Sequence, residues 1–200
     1  MEIFSRFDKE KILYEDNNTS IRKSVENALK RKVNLTGADL TGADLTGADL
    51  TGANLTWANM TWANLTGANL SGADLTGADL TGANLTVADM TGANLPWANL
   101  SRADLPVANL TGADLTGADL TGANLCGSTG NNIEIKTIQT GIYIVNIVEK
   151  FEYIQIGCER NTIERWFNFT NREILEMDGK KALKWWKKWK PILVAILEHK

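Results

Sequence analysis

The chain has 200 residues, a formal net charge of −3, two cysteines and one histidine. Cys126 and Cys158 do not read as a disulfide framework. No apolar run is long enough to span a bilayer and no hydrophobic leader begins the chain, so a cytoplasmic location is the expectation.

Residues 1–6 and 11–15 are expected to be two short strands, with Asp8-Lys9-Glu10 as the turn and Phe4, Phe7, Ile12 and Leu13 as the buried side chains. Ile21, Val25, Ala28 and Leu29 fall at helical spacing within residues 21–32, after a Thr or Ser suited to an N-cap. Residues 1–32 thus predict a hairpin-plus-helix cap.

From Val33 to Leu125 the chain repeats A-(D/N)-L-T-G, with Leu or Met at every fifth position through nineteen repeats. A period of five fits neither regular element. On a strand it would flip successive leucines to opposite faces, and on a helix it would scatter them around the axis. The chain must bend once per repeat, with Ala and Leu inward, Asp or Asn outward, and Thr-Gly forming the bend. Five residues apart, aspartates follow one another (Asp39, Asp44, Asp49); twenty apart they never do, since Asp39 is followed by Asn59, Asp79, Asn99 and Asp119. Stacked strands lie about 4.8 Å apart, where like charges are unfavourable, so twenty residues, or four repeats, should make one coil. This stretch carries nine aspartates against one basic residue, Arg102, a net of −8, whereas residues 1–33 carry eight Lys or Arg against six acids and residues 137–200 eleven against eight.

These residues resemble the pentapeptide repeat family closely. The resemblance implies an all-β solenoid, a right-handed quadrilateral parallel β-helix of about five coils, roughly 23 Å long at strand spacing. The motif specifies fold and says little about activity. The many N-x-(S/T) matches are by-products of the repeat.

Glycine stands two places after Leu except at Trp57, Trp62, Val87, Trp97, Arg102 and Val107. With four repeats per coil, Trp57 and Trp97 share one side, Trp62 and Arg102 the next, and Val87 and Val107 the third. Three indoles and two valines make an outward apolar patch of the kind that anchors a partner or a second copy. The alternative is that the chain's own C-terminal segment covers it. Pro96 and Pro106 fall in the bend, where a lost donor is tolerated.

Residues 127–132 read as a linker. Residues 133–138, 142–148 and 151–156 are β-rich and predict an antiparallel meander; residues 162–167 and 171–177 predict short helices. Asp178-Gly179 turns into a further helix from Lys180, which Pro191 should kink or end before Ile192 to Glu198. Residues 133–200 therefore form an α+β C-terminal domain. This tail resembles one recurring in phage and prophage pentapeptide proteins, through Ile154–Cys158, Thr162–Trp166 and Lys184–Pro191. Two readings of Lys184, Trp185, Trp186, Lys187, Lys188, Trp189 and Lys190 stand open: a cap with Trp in its core, or a nucleic-acid or membrane-surface helix.

No catalytic constellation is legible. The carboxylates occupy identical outward sites, so nothing separates their acidities, His199 stands next to the last residue, and neither metal spacing nor a phosphate loop appears. No cofactor is implied. The leading expectation is a non-enzymatic scaffold for protein–protein interaction. The family resemblance adds a second, a DNA mimic acting on gyrase or another DNA-handling enzyme through Asp39, Asp44, Asp49, Asp74, Asp79, Asp89, Asp104, Asp114 and Asp119. Against it, duplex DNA would carry roughly fourteen charges over this length. A third, ice or mineral binding by the Thr columns, is also generic family chemistry. Direct nucleic-acid binding by the acidic rod is not expected.

Overall fold

The computed structural model describes residues 1–130, 136–139, 143–148 and 153–198. Between Val33 and Gly130 every pentapeptide closes a turn in which the alanine N–H donates to the leucine carbonyl three residues back, as in Ala43 N to Leu40 O at 3.0 Å. The residue before that alanine is left-handed, φ +63° at Gly42, which explains the glycine in the repeat. The extended residues then pair with the next coil. Fifteen parallel bridges join residues twenty apart, from Asp39–Asn59 to Asn109–Thr129, and none joins two aspartates. Three ladder bonds per repeat follow, such as Leu40 N to Asn59 O at 2.7 Å, Gly42 N to Thr61 O at 2.9 Å and Asn59 N to Ala38 O at 2.8 Å. Leucines and alanines fill the interior at 0–3 % exposure, apart from a half-buried Ala43. The expected linker begins inside this pattern: Gly127 is left-handed, Ser128 is buried in the alanine position, and Thr129 bridges Asn109. Asn131 and Asn132 lie outside the described residues.

Strands β1 (Glu2–Phe4) and β2 (Ile12–Glu15) form an antiparallel hairpin, and α1 (Ile21–Lys30) follows. The hairpin joins the first coil through Asp39 N to Phe4 O (2.8 Å) and Arg6 N to Gly37 O (2.7 Å). The buried residues differ from expectation. Ile3 and Tyr14, paired across the hairpin, face the core with Val25 and Ala28 of α1. Phe4 and Leu13 are half-buried, while Ile12 is 43 % and Phe7 70 % exposed. A bulge between Ile3 and Phe4 shifts the alternation. Ser20 is the N-cap but its side chain makes no cap bond; Asp16 instead accepts from Ser24 Oγ at 2.6 Å and from the Asn18 backbone at 3.0 Å.

At the other end β3 (Lys136–Gln139), β4 (Ile144–Val148), β5 (Tyr153–Ile156) and β6 (Glu159–Thr162) form an antiparallel sheet in that order. β6, a polar edge strand, was not expected; residues 133–135, 142, 151, 152 and His199 of the sequence reading lie outside the described residues. The period of two divides the sheet's faces. Val145, Ile147, Ile154 and Ile156 pack with the helices, whereas Val148 and Tyr153 join the rod's core. Asn146 Nδ2 donates to Leu125 O at 2.8 Å and Gln155 Oε1 accepts from Leu125 N at 2.7 Å, so two buried side chains satisfy the rod's last inward leucine. Helix α2 (Ile163–Asn168) is capped by the Thr162 side chain, and α3 (Asn171–Glu198) is broken at Asp178 and Gly179, as expected. It runs on through Pro191 rather than ending there. Cys126 and Cys158 are disulfide-bonded, which corrects the reading of the cysteines and ties β5's end to the last coil.

Candidate functional site

All six residues that replace glycine keep its left-handed backbone, with φ between +58° and +61°. That conformation is unfavourable for any L residue by roughly 1–2 kcal/mol, and for β-branched Val87 and Val107 it is a clear outlier. A side chain at this position leaves the rod tangentially and lies along its side. A Cβ placed on Gly77 would stand 2.5 Å from Cε3, 2.5 Å from Cζ3 and 2.9 Å from Cδ2 of Trp57. Three atoms of one ring at near-equal distance mean that the indole lies face-on over Gly77. Trp62 covers Gly82 and Trp97 covers Gly117 in the same way, while Arg102 and Val107 lean over Gly122 and Gly127.

The second face of each indole therefore looks outward. Trp57 is 51 %, Trp62 65 % and Trp97 68 % exposed, and Val87, Arg102 and Val107 are exposed too. Among the described residues the C-terminal segment packs on the end of the rod, at Leu125, and leaves these side chains exposed. Phe7 extends the same column, with Cε2 2.6 Å from the Cβ position of Gly37. The sequence reading missed it. Nothing in the sequence marks Phe7, whereas the seats of the other side chains had a signal, glycine twenty residues after each of Trp57, Trp62, Trp97 and Arg102.

The nine aspartates are arranged less as a ladder than as local braces. Asp39 Oδ1 accepts from both the N–H (3.2 Å) and the hydroxyl (2.7 Å) of Thr41, and Asp44, Asp49, Asp74, Asp79 and Asp89 repeat the motif. Asp114 and Asp119 take the N–H of Thr116 and Thr121, and Asp104 accepts from Asn124 at 3.4 Å. The Thr hydroxyl, then the Thr N–H, holds Asp44, Asp49 and Asp114 below the ordinary carboxylate range. These groups are charged at neutral pH, which suits electrostatic recognition and not general-acid chemistry.

The C-terminal candidates separate. Trp185 and Trp186 are buried among Trp166, Ile174 and Leu193, and Trp189 stacks on Trp185 with centroids 6.1 Å apart. Lys190 donates to Phe167 O at 2.6 Å, leaving Lys184, Lys187 and Lys188 exposed. Trp166, Trp185 and Trp186 are core and offer no stacking platform, and Trp189 is half-buried against them. A cavity of about 180 Å³ lies between this helix and the sheet, with Tyr143, Met177 and Trp166 in its wall. Burial, then the hydrogen bond to Asp178, pushes Tyr143 up to about 12.

The family model for pentapeptide repeats matches this chain in eight copies, over residues 31–67, 68–105 and 108–132. The chain belongs to the pentapeptide repeat family. Among solved structures it is similar to a pentapeptide repeat protein from the Arabidopsis thaliana thylakoid lumen, 38 % identical over 45 % of this chain and 63 % of that one, TM-score 0.44. Rfr23 from the cyanobacterium Cyanothece 51142 is 40 % identical over 48 % and 63 %, TM-score 0.44. QnrB1, a plasmid-mediated fluoroquinolone resistance protein, is 25 % identical over 45 % and 58 %, TM-score 0.27. The pentapeptide repeat chain thus spans less than two thirds of each of these proteins. No curated protein matches it. Among the described residues no helix is long and apolar enough to cross a membrane.

Proposed function

We propose that this pentapeptide repeat protein is a non-enzymatic scaffold that presents a rigid surface for protein–protein interaction. In this reading the repeats form a right-handed quadrilateral helix of about five coils. Residues 1–32 and 133–200 close its ends. One observation carries the proposal: Trp57, Trp62 and Trp97 hold strained left-handed backbone where glycine serves elsewhere, and spend that strain on exposed indole faces. Strain kept at exposed positions argues for use rather than for stability. The Cys126–Cys158 bond suits an oxidising compartment better than the cytoplasm.

The test compares the wild-type chain with a variant carrying Trp57→Gly, Trp62→Gly and Trp97→Gly as bait in lysate, and follows oligomeric state by light scattering. Glycine is native to this backbone, so the rod persists. A protein retained at high salt by the wild type and lost by the variant is the expected result. If the variant keeps every partner and the same oligomeric state, the reading fails. A DNA-handling enzyme released by salt and by duplex DNA would instead place function on the aspartates.

A further inference from the structure

The indoles of Trp57 and Trp97 stand in one column, over Gly77 and Gly117. Those glycines are forty residues apart, two coils at twenty residues each, or about 9.6 Å at strand spacing. An extended β-strand puts side chains on one face every second residue, about 6.7 Å, which fits neither one coil nor two. A polyproline II helix has three residues per turn at about 3.1 Å each, so residues i and i+3 share a face about 9.3 Å apart. We propose that this column docks a basic, proline-rich segment of a partner protein in the polyproline II conformation, with residues i and i+3 seated on Trp57 and Trp97. The proposal rests on the protein-interaction reading above and gives the partner its chemistry.

Charge fixes the rest of the ligand. In its coil Gly77 lies between Asp74 and Asp79, and Gly117 between Asp114 and Asp119. The coil on which each indole rests thus carries an aspartate on either side of the seating glycine, a framing in which Asp79 also adjoins Gly82, the seat of Trp62. These aspartates use Oδ1 for the Thr two residues on; Oδ2 accepts no hydrogen bond from the described residues. A polyanion is repelled by this framing, whereas Lys or Arg beside the seated prolines gains both carboxylate and indole contacts. The chain already places one cation in the column: the Arg6 guanidinium lies 5.5 Å from the Phe7 ring centroid, and its Nη1 donates to Trp57 O at 3.0 Å. Flat aromatic surfaces are the usual seats for polyproline II ligands, whose shape is set before binding.

The test adds a synthetic peptide of four Pro-Pro-Lys units to the full chain and follows the indole N–H signals by NMR, with four Gly-Gly-Lys units as an equal-charge control. The expected result is that Trp57 and Trp97 shift while Trp166, Trp185 and Trp186 do not, with the proline peptide binding at least about tenfold tighter than the control. The Trp57→Gly/Trp97→Gly variant should lose that binding. Asp79→Asn with Asp119→Asn should weaken it at least about threefold and flatten its salt dependence. Equal affinity for the two peptides, shifts confined to the other tryptophans, or binding of a neutral β-1,4-glucan oligomer in place of the peptide would overturn the proposal. So would a lysate protein that is held through Trp57 and Trp97 but not displaced by excess proline peptide; in that case the scaffold reading survives. If the Trp57→Gly/Trp97→Gly variant keeps its affinity for the proline peptide, this proposal falls; the scaffold reading falls only if the triple variant, Trp62→Gly included, also keeps every partner and its oligomeric state.

Discussion

Replacing Gly77 with alanine tests the face-on indole directly, and Gly67→Ala is its internal control. Both glycines are left-handed, φ +63° and +65°, so each alanine carries backbone strain of roughly 1 kcal/mol. Around Gly67 a Cβ meets nothing within 4 Å, whereas at Gly77 it meets Trp57 at 2.5 Å. The indole must swing off its seat. Trp57 is 51 % exposed, so about half of an indole-sized surface is covered, on the order of 120 Å² and about 3 kcal/mol gross. Losing a third to a half of that adds about 1–1.5 kcal/mol. Gly67→Ala should therefore cost about 1 kcal/mol and Gly77→Ala about 2–2.5. In a Trp57→Gly background Gly77→Ala should fall back to about 1, giving a coupling of about 1–1.5 kcal/mol. Urea denaturation of the variants, followed by circular dichroism, measures all of these. Equal costs for Gly67→Ala and Gly77→Ala, with no coupling to Trp57, would refute the stacking geometry.

Three further outcomes follow from the same structure. Val87→Gly should stabilise the rod by about 0.5–1 kcal/mol, since relief of left-handed strain at a β-branched residue exceeds the entropy glycine returns to the unfolded chain; a lower urea midpoint would contradict this. Cys126→Ser, or reduction, should lower the stability of the C-terminal unit by about 3–4 kcal/mol, the loop-closure value for a separation of 32 residues, read from Trp fluorescence in urea with and without reductant. The depressed acidities of Asp44, Asp49 and Asp114 stabilise the fold above the ordinary carboxylate value of 3.8, and that stability is lost as pH falls through their folded values. Thr46→Val should return the Asp44 carboxyl, followed by carbon NMR, toward its ordinary titration.

The coil was legible because charge marks it. Aspartate avoids aspartate at twenty residues but not at five, and thirteen of the fifteen parallel bridges pair an aspartate with an asparagine. The hairpin was legible as elements but not in register. Phe7 looks like core by composition, yet it lies outside on Gly37, and the bulge after Ile3 moves the inward face. Neither fact has a local sequence signature. β6 escaped because residues 159–162 are polar edge residues with no alternation to read. The disulfide escaped because two cysteines far apart carry no spacing pattern, and only the docking of β5 on the last coil brings them together. The aromatic patch was legible as outward, but its flatness depends on residues one coil away.

That dependence sets the period of the surface. Within each pentapeptide, Ala and Leu point inward and Asp or Asn folds back to brace the Thr, so the glycine position is the one outlet for a large side chain. An indole leaving there needs a glycine twenty residues on, because any Cβ at Gly77, Gly82 or Gly117 would stand inside the ring's contact distance. Two tryptophans thus cannot occupy successive coils of one column, and the shortest aromatic step along a side is two coils, about 9.6 Å. Val87 and Val107 do occupy successive coils, since a valine does not reach far enough to need a bare neighbour. The spacing that fits a polyproline II turn is therefore a steric consequence of ring size and coil rise. A Gly77→Trp change would consequently displace Trp57 from its seat and break the strip, not lengthen it.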